Sequence, residues 1–246
     1  MNEKEYIFGI RAVLEAVQAK KGIDKVFIHK DSHSELMREL LSSLKKNNIS
    51  FSYVPLEKLN KFNSKNHQGV VAIIAPISFA NLDNVIEETL NQHKIPFFLI
   101  LDGVSDVRNF GAIIRTASCT GIDAIIIAKQ GSAPVNADTI KTSAGAVFTT
   151  PIIKVDHIKD ALFTLQANNI KIVAATEKVQ KFIYETNLKQ PIAIIMGSEE
   201  KGINPSVLKM ADFTVKLPMY GSISSLNVSV ACGAIIYEAV RQRLEL

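Results

Sequence analysis

Three turns rich in glycine and polar residues hold the side chains of this sequence that could do chemistry. The first turn, residues 102–117, follows an apolar run and reads DGVSDVRNFGAIIRTA. We predict that Asn109 caps a helix in this turn and that Arg115 lies about two helical turns further on. The planar guanidinium fork of Arg115 suits a phosphate group. This turn could therefore anchor a nucleic-acid backbone, although a helix cap beside a surface arginine would give the same pattern.

The second turn, residues 194–203, reads IIMGSEEKGI and follows another apolar run. Gly197 and Gly202 would let a ligand approach the backbone closely, and the exposed amides of the turn could bond an adenine or a ribose. Glu199 lies at the tip of the turn. A single GxExxG pattern also occurs in ordinary strand-to-helix turns, so this turn alone does not identify a ligand.

The third turn, residues 217–231, reads LPMYGSISSLNVSVA and precedes an apolar helix predicted over residues 228–240. Its many small polar side chains are unusual for a simple connection. They are Ser222, Ser224, Ser225, Asn227 and Ser229. Either Ser225 or Asn227 could serve only as the N-cap of the helix.

The elements around these turns indicate an α/β fold. Five short apolar runs alternate with helix-compatible stretches, at residues 97–101, 122–128, 170–175, 192–196 and 213–217. Such alternation predicts a parallel sheet with helices on both faces. Ligands of these sheets bind at the carboxyl ends of the strands, and the three turns follow the first, fourth and fifth runs. We therefore expect the turns to meet at one site.

The N-terminal part predicts a smaller α/β module. Its pattern indicates helices over residues 11–19 and 35–46, and strands over residues 25–28, 49–54 and 70–75. Pro76 ends the last strand. We therefore divide the chain into a domain at 1–76, a connecting segment at 77–94 with a helix over 82–91, and a domain at 95–246.

The excess positive charge of the chain lies in its N-terminal part. Residues 1–80 hold 12 Lys and Arg against 8 Asp and Glu, whereas the other residues hold 16 against 16. An N-terminal domain with excess positive charge would attract the phosphate backbone of a nucleic acid. Ordinary solubilising lysines would give the same balance.

Composition argues against several other classes of protein. Cys119 and Cys232 stand alone, and the five histidines have no ligand spacing, so we expect neither a disulfide framework nor a metal site. No apolar run approaches the ~20 residues needed to span a bilayer, and the start MNEKEYIFG does not look like a signal peptide. We expect a cytoplasmic protein that does not insert into membranes.

Taken together, NFGAIIRTA, MGSEEKGI and LPMYGSISSLNVSVA closely resemble the three sequence motifs of the SpoU (TrmH) family of RNA 2′-O-methyltransferases. The resemblance extends from about residue 95 to the C-terminus. YIFGIRAVLEA and HQGVVAI resemble the start and end of the RNA-binding domain of that family, which is similar to a small ribosomal protein. The pattern is most similar to the branch that methylates a guanosine of 23S rRNA. A tRNA methyltransferase of the same family and a non-catalytic RNA-binding or ribosome-assembly factor are the alternatives.

The resemblance implies a C-terminal α/β knot, the trefoil-knotted parallel sheet called SPOUT, in a homodimer that uses S-adenosylmethionine. By matching position, the residues expected to bind this cofactor are Thr176, Gly197, Leu217, Met219 and Leu226. The expected catalytic residues are Asn109, Arg115, Glu199, Ser225 and Asn227.

The resemblance also suggests roles for these catalytic residues. A guanidinium with a pKa above ~12 is a poor base, so we expect Arg115 to grip the phosphate beside the target ribose and to stabilise the developing alkoxide. Glu199 would hold Arg115 or act as a distant proton sink. Asn109, Ser225 and Asn227 would hold the turns and the ribose. Residues 141–146, KTSAGA, match a family loop near the RNA site, and a patch of small packing residues would look the same.

A dinucleotide-binding enzyme on the same kind of sheet is a competing interpretation. It requires GxGxxG after the first strand and an acidic residue about twenty positions later. The sequence after residues 97–101 has neither. The assembly-factor alternative predicts loss of Arg115, Glu199 or Asn227, and all three are present.

Overall fold

A computed structural model of the chain describes residues 5–19, 23–30, 32, 34–47, 49, 51–62, 67–74, 77, 79–222 and 225–244. Ser224 and the predicted boundary at Pro76 lie outside these residues. The strands are β1 (Glu5–Phe8), β2 (Ile23–His29), β3 (Phe51–Val54), β4 (Val70–Ile74), β5 (Phe97–Asp102), β6 (Ala124–Ala128), β7 (Ile152–Val155), β8 (Lys171–Ala175), β9 (Ile192–Gly197) and β10 (Phe213–Val215). The α-helices are α1 (Ile10–Gln18), α2 (Glu35–Lys46), α3 (Leu56–Asn60), α4 (Leu82–Asn91), α5 (Val107–Thr120), α6 (Ala137–Thr142), α7 (Ile158–Ala167), α8 (Pro205–Leu208) and α9 (Val228–Arg243). Short 3-10 helices span Ala146–Phe148 and Ile183–Glu185.

The chain forms two compact units. The first unit comprises Met1–Ser78 and Pro134–Thr149, and the second comprises Phe79–Ala133 and Thr150–Leu246. The segment at 134–149 therefore packs with the first unit, although the sequence-based division placed it in the second domain.

The first unit contains a four-stranded sheet in the order β1-β4-β2-β3. Helices α1 and α2 pack against each other. Helix α2 begins where the hydroxyl of Ser34 accepts a hydrogen bond from Met37 N (3.2 Å), and Lys45 and Lys46 lie in its last turn, where cations are favourable. An apolar cluster in this unit contains Phe8, Phe27 and Leu59. Strand β1 was not predicted from the sequence.

The second unit contains a six-stranded sheet in the order β10-β8-β9-β5-β6-β7, and every pairing between these strands is parallel. The parallel sheet predicted from the alternating pattern is therefore confirmed. The central strands β5 and β9 read FFLILD and IAIIMG and are buried except for their last residues, as strands covered on both faces must be. The trefoil knot implied by the resemblance stays a prediction.

The sequence analysis predicted five strands in this sheet, and β7 is the one it missed. This edge strand has four residues, and only Ile152 and Ile153 are buried, so it shows no extended apolar run. The three turns therefore follow the first, fifth and sixth strands of the unit, rather than the first, fourth and fifth. The strand order brings β8, β9 and β10 next to one another, so their carboxyl ends lie at the same edge.

Candidate active site

A cavity of about 360 Å³ lies at the carboxyl ends of β8, β9 and β10. This volume is within the range of roughly 300 to 1,000 Å³ that is usual for small-molecule sites. Part of the wall is apolar and buried, with Met196, Val215 and Ile235. Exposed charged side chains complete it, including Glu177 and Lys178. The cavity thus offers an apolar wall and a charged wall to one ligand.

The structure brings the residues expected to bind the cofactor together in this cavity. Its lining includes Thr176, Gly197, Leu217, Met219 and Leu226, and also Glu199 and Ser225 from the predicted catalytic set. Thr176 N donates a hydrogen bond to Val215 O (2.9 Å), which joins the segment after β8 to β10. The role of these residues as cofactor ligands stays a prediction, but they do share one site.

The backbone at Gly197 leaves no space for a side chain. A Cβ atom built on Gly197 would lie 2.2 Å from Gly202 C and 2.2 Å from Ile203 N. The second turn folds back over Gly197 because Ser198 and Gly202 exchange two backbone hydrogen bonds, of 2.9 and 3.3 Å. Gly202 has a φ of +67°, a conformation that favours glycine. This closed turn forms a wall of backbone at the cavity.

Glu199 joins all three turns through one carboxylate oxygen. Its Oε1 accepts hydrogen bonds from Asn227 Nδ2 (2.7 Å), Asn109 Nδ2 (3.2 Å) and Val228 N (3.2 Å). Asn227 Nδ2 also donates to Asn109 Oδ1 (2.9 Å). A carboxylate at the start of α9 interacts favourably with the helix dipole. The Asn109–Glu199–Asn227 network therefore holds the turns in a defined arrangement.

Asn227 is the N-cap of α9, one of the two candidates for this position. Its Oδ1 accepts hydrogen bonds from Ser229 N (3.0 Å), Ser229 Oγ (2.6 Å) and Val230 N (3.4 Å). Both ends of its amide are therefore engaged within the chain. This arrangement favours a role in positioning the turns over direct contact with a ribose.

Asn109 is not the N-cap of α5, so that prediction was wrong. The cap is Asp106, whose Oδ1 accepts a hydrogen bond from Asn109 N (2.8 Å). The helix begins three residues earlier than predicted, because an aspartate with extended backbone geometry precedes it. Asn109 consequently lies in the first helical turn, and its side chain is available to bond Glu199 and Asn227.

Arg115 lies exposed on α5, and no hydrogen bond or ion pair joins its side chain to any residue that the structure describes. In particular, the described part of the single chain shows no hydrogen bond or ion pair between Arg115 and Glu199, whose Oε1 accepts hydrogen bonds from the two asparagines and Val228 N. The guanidinium fork is thus available to a ligand or to another chain.

Residues 141–146 pack within the first unit. Gly145 has a φ of +87°, and a Cβ on it would lie 2.3 Å from Glu15 Cβ of α1. Ser143 is fully buried, while Lys141 is exposed. These contacts favour the interpretation of KTSAGA as a patch of small packing residues.

The structure also adds residues that the sequence analysis did not select. Lys178 and Lys216 line the cavity, and Asp102 Oδ2 accepts a hydrogen bond from Asn204 N (2.7 Å) beyond the second turn. The sequence signal that could have identified Asp102 was its position directly after an apolar run. Burial raises the pKa of the Cys232 thiol, which keeps it protonated and unreactive.

Among the residues that the structure describes, no group of three or more His, Cys, Asp or Glu side chains could hold a metal ion. In the same part of the chain, none of the helices has the length and apolarity to cross a membrane.

Comparison with known proteins identifies the family. Residues 96–237 match the family model described as the SpoU rRNA methylase family, and residues 6–80 match the model described as RNA 2′-O ribose methyltransferase substrate binding. The chain is 36% identical over 242 residues to the 23S rRNA (guanosine-2′-O-)-methyltransferase RlmB of Vibrio parahaemolyticus, covering 98% of each protein.

Solved structures agree with this assignment. The SpoU methyltransferase AviRb from Streptomyces viridochromogenes, in complex with the cofactor AdoMet, matches with a TM-score of 0.81 and 25% identity, over 97% of this chain and 90% of that one. The A. aeolicus TrmH/SpoU tRNA modifying enzyme matches with a TM-score of 0.56 and 30% identity, over 65% of this chain and 85% of that one. The chain therefore belongs to the SpoU rRNA methylase family, whose members methylate RNA with S-adenosylmethionine.

Proposed function

We propose that this chain transfers the methyl group of S-adenosylmethionine to the ribose 2′-oxygen of a guanosine in 23S rRNA. The observation that carries the proposal is the convergence of the second and third turns on one cavity, with the first turn tied to them through Glu199. Full-length similarity to a 23S rRNA guanosine methyltransferase supports the choice of target.

The cavity fits the cofactor in volume and in chemistry. S-Adenosylmethionine combines an adenine with a charged amino-acid end, and the cavity combines a buried apolar wall with exposed charged side chains. The backbone of Gly197 approaches the cavity without a side chain. We assign cofactor binding to Thr176, Gly197, Leu217, Met219 and Leu226. When bound, the cofactor supplies a methyl group that its sulfonium already activates.

The protein has to align the ribose hydroxyl with the methyl group and assist removal of its proton. The Asn109–Glu199–Asn227 network would hold the turns rigidly, which is the requirement for alignment. Arg115 would bind the phosphate next to the target ribose with its free fork and stabilise negative charge on the 2′-oxygen. Ser225, in the cavity lining, would hydrogen-bond the ribose.

Homodimer formation is part of the proposal, and α9 provides a surface for it. Val230 and Tyr237 are 56% and 54% exposed, and the exposed Ala234 lies between them at helical spacing. Helix α9 is thus apolar on its outer face as well as on its buried face, which is typical of a helix that is covered on both sides. A partner chain on this face would lie near Arg115 because α5 packs against α9.

The first unit would deliver the RNA. Its sequence matches a substrate-binding model, and the N-terminal 80 residues carry the excess positive charge of the chain. An excess of lysine and arginine favours phosphate binding that weakens with salt. We also propose a cytoplasmic location, where ribosomal RNA is accessible to such an enzyme.

The test is to map 2′-O-methyl groups across total RNA from cells with and without the gene. We expect one mark, on a 23S rRNA guanosine, to be missing in the deletion strain. Loss of a tRNA mark would refute the rRNA target and favour the tRNA alternative. An unchanged map, together with no S-adenosylmethionine binding in calorimetry, would favour the non-catalytic assembly factor.

A further inference from the structure

Tyr220 in the third turn is 98% exposed, more than any other large apolar or aromatic side chain that the structure describes as exposed. An aromatic ring in this position contributes almost nothing to the packing of the chain, since burial is what makes such rings stabilising. The exposure of Tyr220 therefore calls for a reason other than folding.

We propose that Tyr220 is a nucleobase-stacking residue that holds the base of the target nucleotide in single-stranded RNA beside the cofactor cavity. This inference rests on the proposed function and deepens it, because it names a residue that recognises the substrate. Tyr220 is outside the predicted catalytic and cofactor-binding sets.

The position of Tyr220 next to the cavity favours contact with the substrate. In the same turn, Leu217, Met219, Ser225 and Leu226 line the cavity, whereas Tyr220 does not. The ring thus belongs to the segment that forms the cavity wall but lies on its solvent side. A ribose bound at the part of the cavity that this turn lines would lie close to the ring.

The backbone around Tyr220 also favours base stacking. No hydrogen bond joins residues 217–222, 225 or 226 to any other residue that the structure describes. Gly221 follows the tyrosine, and a Cβ on it would meet nothing within 4 Å. The ring can therefore adjust its position to a base without breaking a backbone hydrogen bond.

The chemistry of an RNA substrate favours base stacking as well. Proteins recognise RNA sequence mainly in single-stranded regions, where unstacked bases pack on aromatic rings. A tyrosine suits this task at an exposed position, because its ring stacks while its hydroxyl stays in water. Lys178 and Lys216 in the cavity lining supply positive charge for the phosphates on either side of the base.

The test uses the full-length protein and an RNA stem-loop that carries the guanosine identified by methyl mapping. A second stem-loop has hydrogen in place of that base but keeps the 2′-hydroxyl. With the guanosine RNA, we expect Tyr220→Ala to lower kcat/KM about 5- to 150-fold, the usual worth of one base–aromatic stack. Tyr220→Phe should stay within about twofold of wild type, since it keeps the ring. With the abasic RNA, wild type and Tyr220→Ala should be equal within about twofold.

Tyr184→Ala is the matched control, because Tyr184 is 57% exposed and does not line the cavity. It should behave as wild type with both RNAs. The inference is overturned if Tyr220→Ala retains wild-type kcat/KM on the guanosine RNA, or if its loss is equally large on the abasic RNA. Dissociation of a Tyr220→Ala dimer in light scattering would also overturn it, since the ring would then be a subunit contact.

The calorimetric Kd for S-adenosylmethionine separates this test from that of the proposed function. Wild type that neither binds the cofactor nor methylates the stem-loop refutes the proposed function and this inference with it. Wild type that does both, with methylation independent of Tyr220, refutes the stacking role alone.

Discussion

Replacing Gly197 by alanine tests whether the backbone of the second turn forms the wall of the cofactor site. The new Cβ would lie 2.2 Å from two backbone atoms, Gly202 C and Ile203 N. Neither atom belongs to a flexible side chain that could rotate away. The turn therefore has to open, or β9 has to shift.

The size of the effect follows from these contacts. Ordinary van der Waals contact begins at 3.4 Å, so the opposing backbone has to retreat by roughly 1 Å. Overpacking of this kind costs about 1–3 kcal/mol of folding stability. The same displacement breaks the hydrogen-bonded pair between Ser198 and Gly202, which shapes the cavity. We expect Gly197→Ala to weaken S-adenosylmethionine binding at least about tenfold, equivalent to about 1.4 kcal/mol.

Isothermal titration calorimetry with the cofactor and chemical denaturation are the two measurements. Gly202→Ala is the first control: its Cβ meets nothing within 4 Å, but its φ of +67° is unfavourable for alanine. It should lose about 1–2 kcal/mol of stability and bind the cofactor more tightly than Gly197→Ala does. Gly221→Ala, with open space and no positive φ, should match wild type in both measurements.

Wild-type affinity in a folded Gly197→Ala protein would refute the reasoning, because the turn would then have moved without affecting the site. Equal losses of affinity in Gly197→Ala and Gly221→Ala would refute it as well. That result would attribute the effect to a general loss of glycine flexibility rather than to the close backbone approach.

Three further predictions concern the network, the arginine and α9. Glu199→Gln keeps an acceptor oxygen for both asparagines and loses only the negative charge at the start of α9, so it should be destabilised by about 0.3–1 kcal/mol. Glu199→Ala also loses the hydrogen bonds and should be destabilised by about 1–3 kcal/mol; equal stability of the two variants would argue against the network. Arg115→Lys keeps the charge but loses the planar fork. We therefore expect kcat/KM for RNA to fall at least about tenfold while the Kd for the cofactor stays unchanged. Near-full turnover would contradict phosphate binding by the guanidinium of Arg115. Val230→Glu places a charge within the apolar stripe of α9 and should convert a dimer into monomers in light scattering, while Phe163→Glu, on the 64% exposed Phe163 of α7, should not. A Val230→Glu protein that stays dimeric would place the subunit interface elsewhere.

The sequence by itself determined the class of fold, the family motifs and most of the long elements. The predicted bounds of α2 and α4 agree with the structure at both ends, because each has clear helical periodicity and a capping residue, Ser34 or Asn81. The parallel sheet was predictable because strands buried on both faces are apolar along their whole length. The residues that line the cavity were predicted from the three motifs, whose residues and order can be read directly from the sequence.

Only the tertiary structure decided which of these residues touch. Glu199 is 90 positions from Asn109 and 28 from Asn227, and local periodicity contains no information about such pairs. The strand order places β9 between β5 and β8, which brings the second turn beside the first, and it places β10 on the other side of β8. The packing of residues 134–149 with the first unit was also decided by three-dimensional contacts. Periodicity reports which face of an element is buried, whereas the partner that buries it depends on the path of the whole chain.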